Sequence, residues 1–363
     1  YETGFRGRQS QICYAMKANS SLAVLQLFAK AGCGFDIVSG GELARALAAG
    51  ADAKKIIFSG VGKTREEMWV ALGAGIGCFN VESLAELDVL NEVALDFGER
   101  APISLRVNPD VDAKTHPYIS TGLKGNKFGI AHKEVVQAYA YAAQCPGLRV
   151  VGIDCHIGSQ IVDASPYLDA ADRMLDLVDA IEANGIALEH LDFGGGLGID
   201  YAGDTPPSAD VLWIKLFEKL DARGYGNRKI LIEPGRSLVG NAGVCLTEVL
   251  YMKPGEDKNF CIVDAAMNDL PRPTLYDAYH GIVPVDTTGD TPAQMVDVVG
   301  PICESGDWLG RDRSLAVQAG DILAVLSTGA YSMSMGSNYN SRNRPMEILV
   351  DGPEPHIIRE RDR

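Results

Sequence analysis

The sequence has too few basic residues for a protein that binds nucleic acid. It contains 33 Lys and Arg residues against 48 Asp and Glu residues, which gives a formal net charge of −15 at pH 7. A phosphate backbone selects proteins with a basic face, and an anionic membrane surface attracts basic segments. The charge balance therefore argues against a nucleic-acid partner and against a protein that adheres to anionic lipid.

Long apolar runs are also lacking, and no signal-sequence pattern is expected from these residues. The longest weakly polar stretch, residues 70–81, is short and rich in glycine, so no membrane span is predicted. No charged and apolar segment with a small-residue cleavage site opens the chain. The first residue is Tyr1 rather than methionine, which is compatible with a start inside a longer gene product.

The cysteines lack the spacing of a metal site or of a disulfide framework. There are 8 of them, at irregular intervals and without a C-x-x-C pair, which is typical of reduced thiols. We therefore expect a cytoplasmic protein without a metal site.

The first two thirds of the sequence contain a repeated alternation of strand and helix patterns. Short β-branched runs are separated by Ala-, Leu- and Glu-rich stretches with helical period. Strands are predicted over residues 12–16, 35–38, 55–59, 77–81, 103–108, 150–156, 190–193 and 229–233, and helices over 21–31, 42–49, 65–72, 81–93 and 166–183. Eight alternations favour a parallel (β/α)8 barrel, although the count alone also fits a doubly wound sheet.

After about residue 240 the helical periods fade. Short strand-like runs separated by Gly, Pro, Asp and Asn follow at 246–252, 260–263, 295–299, 322–325 and 346–350. This pattern predicts an all-β domain. We therefore expect two domains, a (β/α)8 barrel over residues 1–240 and a C-terminal β domain over residues 241–363.

Two glycine-containing segments resemble nucleotide-binding motifs without meeting their requirements. Gly62-Lys63-Thr64 ends like a P-loop, but Ile57 stands where the motif needs glycine, so we expect a helix to start here. Residues 194–199 nearly match the dinucleotide fingerprint, but the last position is Ile199 and the seventh strand of a series is the wrong place for it.

Residues that can take part in catalysis or ligand binding lie where the predicted strands end. In barrels of this kind the carboxyl ends of the strands carry the active site. Here those ends bear, in chain order, Lys17, Asp36, Arg106, Asn108, His156, Gly194–Gly196 and the segment from Glu233 to Arg236. Each alone could be an ordinary surface or structural residue, but chance does not readily place all of them at successive strand ends.

Together these residues supply the parts of a pyridoxal-phosphate site. Lys17 can form the Schiff base with the cofactor aldehyde. The backbone N–H groups of Gly194–Gly196 can hold the phosphate, which in this barrel binds at the loops after strands seven and eight. Glu233 can keep the pyridine nitrogen protonated, and His156 can stack on the ring.

Six segments resemble the motifs of the fold-type-III pyridoxal-phosphate decarboxylases, in the same order and from one end of the chain to the other. They are YAMKAN at 14–19, HIGSQ at 156–160, DFGGG at 192–196, EPGR at 233–236, PICESGD at 301–307 and GAY at 329–331. The resemblance implies an alanine-racemase-like barrel followed by a β domain, assembled as a homodimer with shared active sites. The family begins with a segment that supplies a strand to the β domain, whereas this sequence begins almost at the first barrel strand.

The resemblance also implies roles for individual residues. Lys17 and His156 would be catalytic, together with Cys303 as a proton donor that enters the neighbouring subunit's site. The implied cofactor-binding residues are Lys17, Asp36, His156, Ser159, Gly194, Gly195, Gly196, Glu233, Gly235, Arg236 and Tyr331.

The substrate is indicated by residues that can hold an amino acid with both an amine and a carboxylate at its far end. Arg272 offers bidentate recognition of a carboxylate, and Glu304 offers an acceptor for an ammonium group. Ornithine-type relatives typically have Asp at the latter position, and the set resembles the diaminopimelate decarboxylases. The implied substrate-binding residues are Arg236, Arg272, Tyr276, Glu304 and Tyr331. The implied reaction converts meso-2,6-diaminopimelate to L-lysine and CO2, the last step of lysine biosynthesis.

Three alternatives remain open on the sequence. A racemase on the same barrel would place a cation near the pyridine nitrogen, which Glu233 argues against. A non-catalytic homologue that binds the cofactor and regulates would be indicated by loss of Lys17 or Cys303, and both are present. A decarboxylase for a related basic amino acid (ornithine, lysine or a D-amino acid) would share the same motifs.

Overall fold

Parallel strands of the first unit of the chain close into a barrel. The computed structural model describes residues 1–112, 115, 121 and 127–363. The strands of this unit are β1 (Ser10–Ala15), β2 (Gly34–Ile37), β3 (Ile56–Phe58), β4 (Cys78–Val81), β5 (Ala101–Asn108), β6 (Ile130–Ala131), β7 (Leu148–Asp154), β8 (His190–Asp192) and β9 (Lys229–Ile232). Among the described residues, eight of them follow the order β4-β3-β2-β1-β9-β8-β7-β5, and β4 also pairs with β5, which closes the ring. The predicted (β/α)8 barrel is therefore confirmed, and a doubly wound open sheet is excluded.

Helices alternate with the barrel strands. They are α1 (Leu22–Lys30), α2 (Gly40–Ala48), α3 (Arg65–Ala74), α4 (Leu84–Phe97), α5 (Val135–Ala142), α6 (Ser165–Ala183) and α7 (Ala209–Ala222). The side chains of Ser39 and Ser83 cap α2 and α4 by accepting from the backbone N–H three residues on. No helix within residues 1–112 and 127–363 combines the length and apolarity needed to cross a bilayer.

The P-loop-like segment at residues 62–64 is a helix start, as predicted. Thr64 caps α3, and a reciprocal capping box joins its side chain and backbone to Glu67. The Nζ atom of Lys63 donates to the carbonyl oxygens of Gly60 and Asn80 and pairs with Glu86, each at 2.7 Å. This lysine is buried and has a structural role.

The second unit of the chain is mostly β-structure. It comprises Ile199–Thr205 and Arg236–Arg363, and the barrel unit comprises Tyr1–Gly198 and Pro206–Gly235. Its elements are α8 (Arg236–Val239), β10 (Cys245–Lys253), β11 (Asn259–Val263), α9 (Arg272–Tyr276), β12 (Ile282–Pro284), β13 (Gln294–Val299), β14 (Trp308–Leu315), β15 (Ile322–Val325), β16 (Glu347–Asp351) and β17 (Glu354–Arg359). The main sheet has the order β12-β15-β10-β11-β13-β14, and β16 and β17 form a hairpin. Apolar side chains such as Val249, Val263 and Leu323 form its core.

The predicted strands agree with the observed ones to within two residues at either end. The prediction was wrong at the start of α4, because Val81 belongs to β4 and Ser83 caps the helix. The strands β6, β12, β14 and β17 were not predicted from the sequence. In β14 the left-handed residue Asp312 and the irregular pairing with β13 break the alternation by which a strand is recognised.

Candidate active site

Lys17 lies in a single 3-10 turn, Met16–Ala18, directly after β1. Its two neighbours in the turn are buried, while its side chain is 43% exposed. Its Nζ atom lies 3.3 Å from Oδ2 of Asp36. Asp36 stands in β2 beside Ala15, the last residue of β1, so the parallel register brings lysine and carboxylate to the same edge.

The segment after β9 packs against the Lys17 turn. The backbone N–H of Ala15 donates to the carbonyl oxygen of Pro234 at 3.1 Å. A Cβ atom on Gly235 would lie 3.0 Å from the carbonyl oxygen of Ala15 and 3.1 Å from the Cβ atom of Ala18. Glycine at this position therefore permits the close approach of the two strand ends.

Glu233 follows β9 directly and is held by a hydrogen-bond network of side chains that come from β4, from the middle of β5 and from the residue after β3. Its Oε1 atom accepts from Nδ2 of Asn80 at 3.2 Å and lies 3.5 Å from Oγ of Ser59. The Oδ1 atom of Asn80 accepts from Oγ of Ser104 at 3.0 Å. All four side chains are buried, so the carboxylate has a defined orientation inside the barrel end.

Two further carboxylates lie beside Glu233. Asp154 and Asp192 end β7 and β8, and one oxygen of each lies within 4.8 Å of an oxygen of Glu233. Burial, reinforced by the neighbouring carboxylates, raises the pKa of Glu233 well above its usual value, and burial raises the pKa of Asp192 to about 7. The electrostatic consequence is that Glu233 holds a proton more readily than a solvent-exposed glutamate does.

The Gly194–Gly196 loop follows β8 and requires glycine at each position. Gly194 and Gly196 have positive φ values of 62° and 102°. A Cβ atom on Gly195 would lie 2.1 Å from the carbonyl oxygen of Glu233, and one on Gly196 would lie 2.3 Å from that of Gly158. The backbone of this loop can therefore approach neighbouring groups, including a bound anion, more closely than any other residue would allow.

His156 follows β7 and faces the glycine loop. Its Nδ1 atom accepts from the N–H of Gly195 at 3.1 Å, which places the ring proton on Nε2. Burial lowers the pKa of His156 well below its usual value, and the nearby cations Arg106 and Lys17 lower it further. The imidazole is therefore neutral. Ser159 lies half-buried in the same loop.

In the second unit Arg236 and Arg272 lie against tyrosine rings. Nη1 of Arg236 donates to Oη of Tyr201 at 2.6 Å, and the Arg236 guanidinium lies 4.7 Å from the ring centre of Tyr331. The Arg272 guanidinium lies 4.5 Å from the ring centre of Tyr201. Arg272 is 5% exposed, and burial lowers its pKa to about 10, so it remains charged at neutral pH.

The loop that bears Cys303 and Glu304 is tied to α9. Oγ1 of Thr274 in α9 donates to the carbonyl oxygen of Gly306 at 2.6 Å. Cys303 and Glu304 are exposed, and Glu304 accepts a hydrogen bond from the Tyr339 hydroxyl at 2.8 Å. Tyr276, the last residue of α9, is half-buried.

Comparison with known proteins identifies the family. A family model described as the pyridoxal binding domain of pyridoxal-dependent decarboxylases matches residues 2–240. A curated diaminopimelate decarboxylase of Neisseria meningitidis serogroup B is 57% identical over 362 residues, which cover 100% of this chain and 86% of the relative. This chain belongs to the diaminopimelate decarboxylase family. The predicted family and the predicted cofactor, pyridoxal phosphate, are thereby confirmed.

Other diaminopimelate decarboxylases agree. The enzyme of Pseudomonas aeruginosa is 54% identical, with 100% of this chain and 86% of the relative covered. The crystal structure of the Helicobacter pylori diaminopimelate decarboxylase complexed with L-lysine matches with a TM-score of 0.95 and 42% identity, over 100% of this chain and 90% of that chain.

The first unit fits the cofactor of this family. It offers a lysine at a strand end, a glycine loop that only glycine can form, and a buried carboxyl group that can hold a proton. Within the described residues, Oδ1 of Asp36, Oδ1 of Asp154 and Oδ2 of Asp192 are buried without a hydrogen-bond partner. Such orphaned polar atoms are unusual in a closed interior and are typical of a polar ligand site.

The predicted site residues of this chain fall into two sets, one in each of its two units. One lies in the barrel unit and contains Lys17, Asp36, His156, Ser159, Gly194–Gly196, Glu233 and Gly235. The other lies in the second unit and contains Arg236, Arg272, Tyr276, Tyr331, Cys303 and Glu304. The roles assigned to these residues stay predictions.

Several residues around these sets were missed by the sequence analysis. Ser59 and Asn80 lie beside the ends of the third and fourth barrel strands, so their position along the chain is a signal that could have identified them. Asp192 stands inside the quoted DFGGG motif. Tyr201 and His280 carry no local signal, because only their contacts distinguish them from other aromatic residues.

Proposed function

We propose that this protein removes one carboxyl group of meso-2,6-diaminopimelate as CO2 and forms L-lysine, with pyridoxal phosphate attached to Lys17. The observation that carries the substrate assignment is the buried, charged guanidinium of Arg272. Within the described residues it forms no ion pair with an acid, so its charge is available to a carboxylate on a ligand.

The barrel residues serve the cofactor. When bound, pyridoxal phosphate accepts the electron pair that departing CO2 leaves behind. Glu233 holds a proton at the ring nitrogen, oriented by Asn80. The phosphate binds at the Gly194–Gly196 loop, where the N–H groups of Gly194 and Gly195 already donate to Asp192 and His156, so the N–H of Gly196 is the donor assigned to the phosphate. Ser159, Arg236 and Tyr331 are further ligands, while the neutral His156 lies against the ring and excludes water. Asp36 holds the Lys17 amine in place.

The second set of residues binds the far end of the substrate. Arg236, Arg272, Tyr276 and Tyr331 bind the distal carboxylate, and Glu304 accepts from the distal ammonium. Cys303 donates the proton that replaces CO2 at the reacting carbon, since its S–H group can act as a general acid. A substrate without a distal carboxylate, such as ornithine, leaves the charge of Arg272 without an anionic partner and is disfavoured.

The proposal extends to the assembly, to the roles of the two domains and to the cellular location. Two copies form a homodimer in which Cys303 and Glu304 of one copy serve the site of the other. Residues 1–240 form the cofactor-binding domain and residues 241–363 the β domain that contributes substrate contacts. The irregularly spaced cysteines, reduced thiols on this view, support a cytoplasmic enzyme.

The test is CO2 release by the purified, pyridoxal-phosphate-loaded protein from a panel of amino acids. We expect meso-diaminopimelate to be converted to L-lysine in equal amount with the CO2, and L-lysine, D-lysine and L-ornithine to react far more slowly. Borohydride reduction should attach the cofactor to the peptide that contains Lys17. Faster release from ornithine or lysine than from diaminopimelate would overturn the substrate assignment.

A further inference from the structure

His280 and Arg272 form a buried hydrogen bond within the second unit. Nη1 of Arg272 lies 2.8 Å from Nε2 of His280, and Nδ1 of His280 lies 2.8 Å from the carbonyl oxygen of Leu326. A carbonyl oxygen only accepts, so Nδ1 carries the proton and Nε2 accepts from the guanidinium. The two neighbours of the ring thus define its tautomer.

The imidazole of His280 is neutral. The residue is 0% exposed, and burial lowers its pKa to about 4. The charged groups that face the imidazole are cationic and lower its pKa further: Arg272 in α9, Arg236 in α8 and Arg313 in β14. The Tyr201 ring packs edge-on against the imidazole at 5.2 Å between ring centres. The His280–Arg272 pair therefore carries one net positive charge.

A neutral partner orients an arginine differently from an acidic one. A carboxylate would fix the guanidinium equally well, but it would also neutralise the charge and occupy the donors that a ligand needs. His280 engages Nη1, while the buried Nε atom of Arg272 has no partner among the described residues. The guanidinium is thus held in place, while its positive charge and its other N–H donors remain available to a ligand.

We propose that His280 is a positioning residue, which holds Arg272 oriented and charged for the distal carboxylate of the substrate. This inference rests on the proposed function, which supplies the substrate. The replacement of His280 by an acidic residue should therefore impair recognition of a carboxylate specifically. Binding of a ligand that lacks the carboxylate should not change.

The experiment compares two ligands of the pyridoxal-phosphate-loaded protein by calorimetry. L-Lysine retains the distal amine and carboxylate of diaminopimelate, whereas cadaverine has lost the carboxylate. We expect His280→Asp and His280→Leu to weaken L-lysine binding by about tenfold or more and to change cadaverine binding less than about twofold. His280→Gln, which keeps a neutral acceptor, should retain most of the preference for L-lysine. His356→Gln, at an exposed position in β17, is the matched control and should behave as the wild type.

Two results would overturn the inference. One is an equal loss of affinity for both ligands in His280→Asp, and the other is unchanged affinity for L-lysine in both His280→Asp and His280→Leu. If these variants do not fold, ¹⁵N-histidine NMR of the wild type decides instead. A neutral His280 protonated on Nδ1 at pH 7 supports the inference, and a doubly protonated ring refutes it.

The outcome is separable from that of the proposed function. A wild-type protein that binds L-lysine but releases no CO2 from diaminopimelate contradicts the reaction alone. A protein that decarboxylates diaminopimelate, but whose His280 variants do not distinguish the two ligands, contradicts only the role of His280.

Discussion

Asn80 and Glu233 meet across the end of the barrel, where Nδ2 of Asn80 donates to Oε1 of Glu233 at 3.2 Å. In the sheet order, β4 and β9 are separated by β3, β2 and β1. Because Oδ1 of Asn80 accepts from Ser104, the amide group cannot turn over without losing both bonds. Asn80 therefore presents a donor to a carboxyl group that lies among other carboxylates.

Replacing Asn80 with Asp should weaken both cofactor binding and turnover. The new carboxyl group would stand 3.2 Å from Glu233 and compete with it for the same proton. We expect the cofactor affinity, measured by absorbance titration, to fall about tenfold, a change of about 1.4 kcal/mol. Asn184→Asp, which adds the same charge at an exposed helix end, should leave the affinity unchanged. A normal cofactor affinity and a normal rate in Asn80→Asp would contradict the role of Asn80.

Glu233 should matter for chemistry more than for folding. Glu233→Gln should keep the cofactor bound but slow CO2 release by several powers of ten, because the ring nitrogen is no longer held protonated. Each tenfold loss in rate corresponds to about 1.4 kcal/mol of barrier. Single-turnover measurements on the loaded protein test this. Near-normal activity in Glu233→Ala would be incompatible with the assignment.

Arg272 should determine substrate recognition without affecting the cofactor. Removal of a buried charged partner typically costs about 2–5 kcal/mol, so Arg272→Ala should lower kcat/KM for diaminopimelate by at least about thirtyfold. Arg311→Ala, in which an arginine stacked on Trp308 is removed, serves as the control. An equal loss of cofactor affinity in Arg272→Ala would make this arginine a structural residue.

Asp192 should make the cofactor-free protein less stable as the pH rises. Burial raises its pKa to about 7, so between pH 4 and about 7 the folded state holds a proton that the unfolded state has released. The free energy of unfolding then falls with rising pH, by up to about 1.4 kcal/mol per pH unit for this proton.

Asp192→Asn removes that contribution. Urea unfolding between pH 5 and 8 should therefore show a variant whose stability, relative to the wild type, increases with pH. The buried histidines act in the opposite direction below pH 6.5 but are common to both proteins, so they cancel in the comparison. A difference between the two proteins that stays constant with pH would show that Asp192 titrates normally.

The homodimer can be tested by mixing two inactive variants. Neither Lys17→Ala nor Cys303→Ala should decarboxylate diaminopimelate alone. If Cys303 serves the neighbouring subunit, each heterodimer contains one site in which both residues are intact. With random pairing, mixing should therefore restore up to about a quarter of the wild-type activity. An inactive mixture in which heterodimers demonstrably form would place both residues in the same chain's site.

Much of the fold was predictable because its signals are local. The strand at 190–193 and the helix at 166–183 were predicted from a short strand-like run and from a stretch with helical period, and both lie within a residue of the observed elements. β14 was not recognised, because its outward residues and the kink at Asp312 depend on pairing with β13 rather than on its own pattern.

The sequence by itself determined which residues stand at the strand ends: Lys17, Asp36, His156, Gly194–Gly196 and Glu233. Parallel strands in a closed barrel bring their carboxyl ends to one edge, so position along the chain is enough to predict that these residues share a site. Only the tertiary structure decided which side chains touch. Asn80 and Glu233 are 153 residues apart, and His280 obtains its tautomer from Leu326, 46 residues away. No local pattern encodes such contacts, because they depend on the distances that remain after the strands have closed and the side chains have packed.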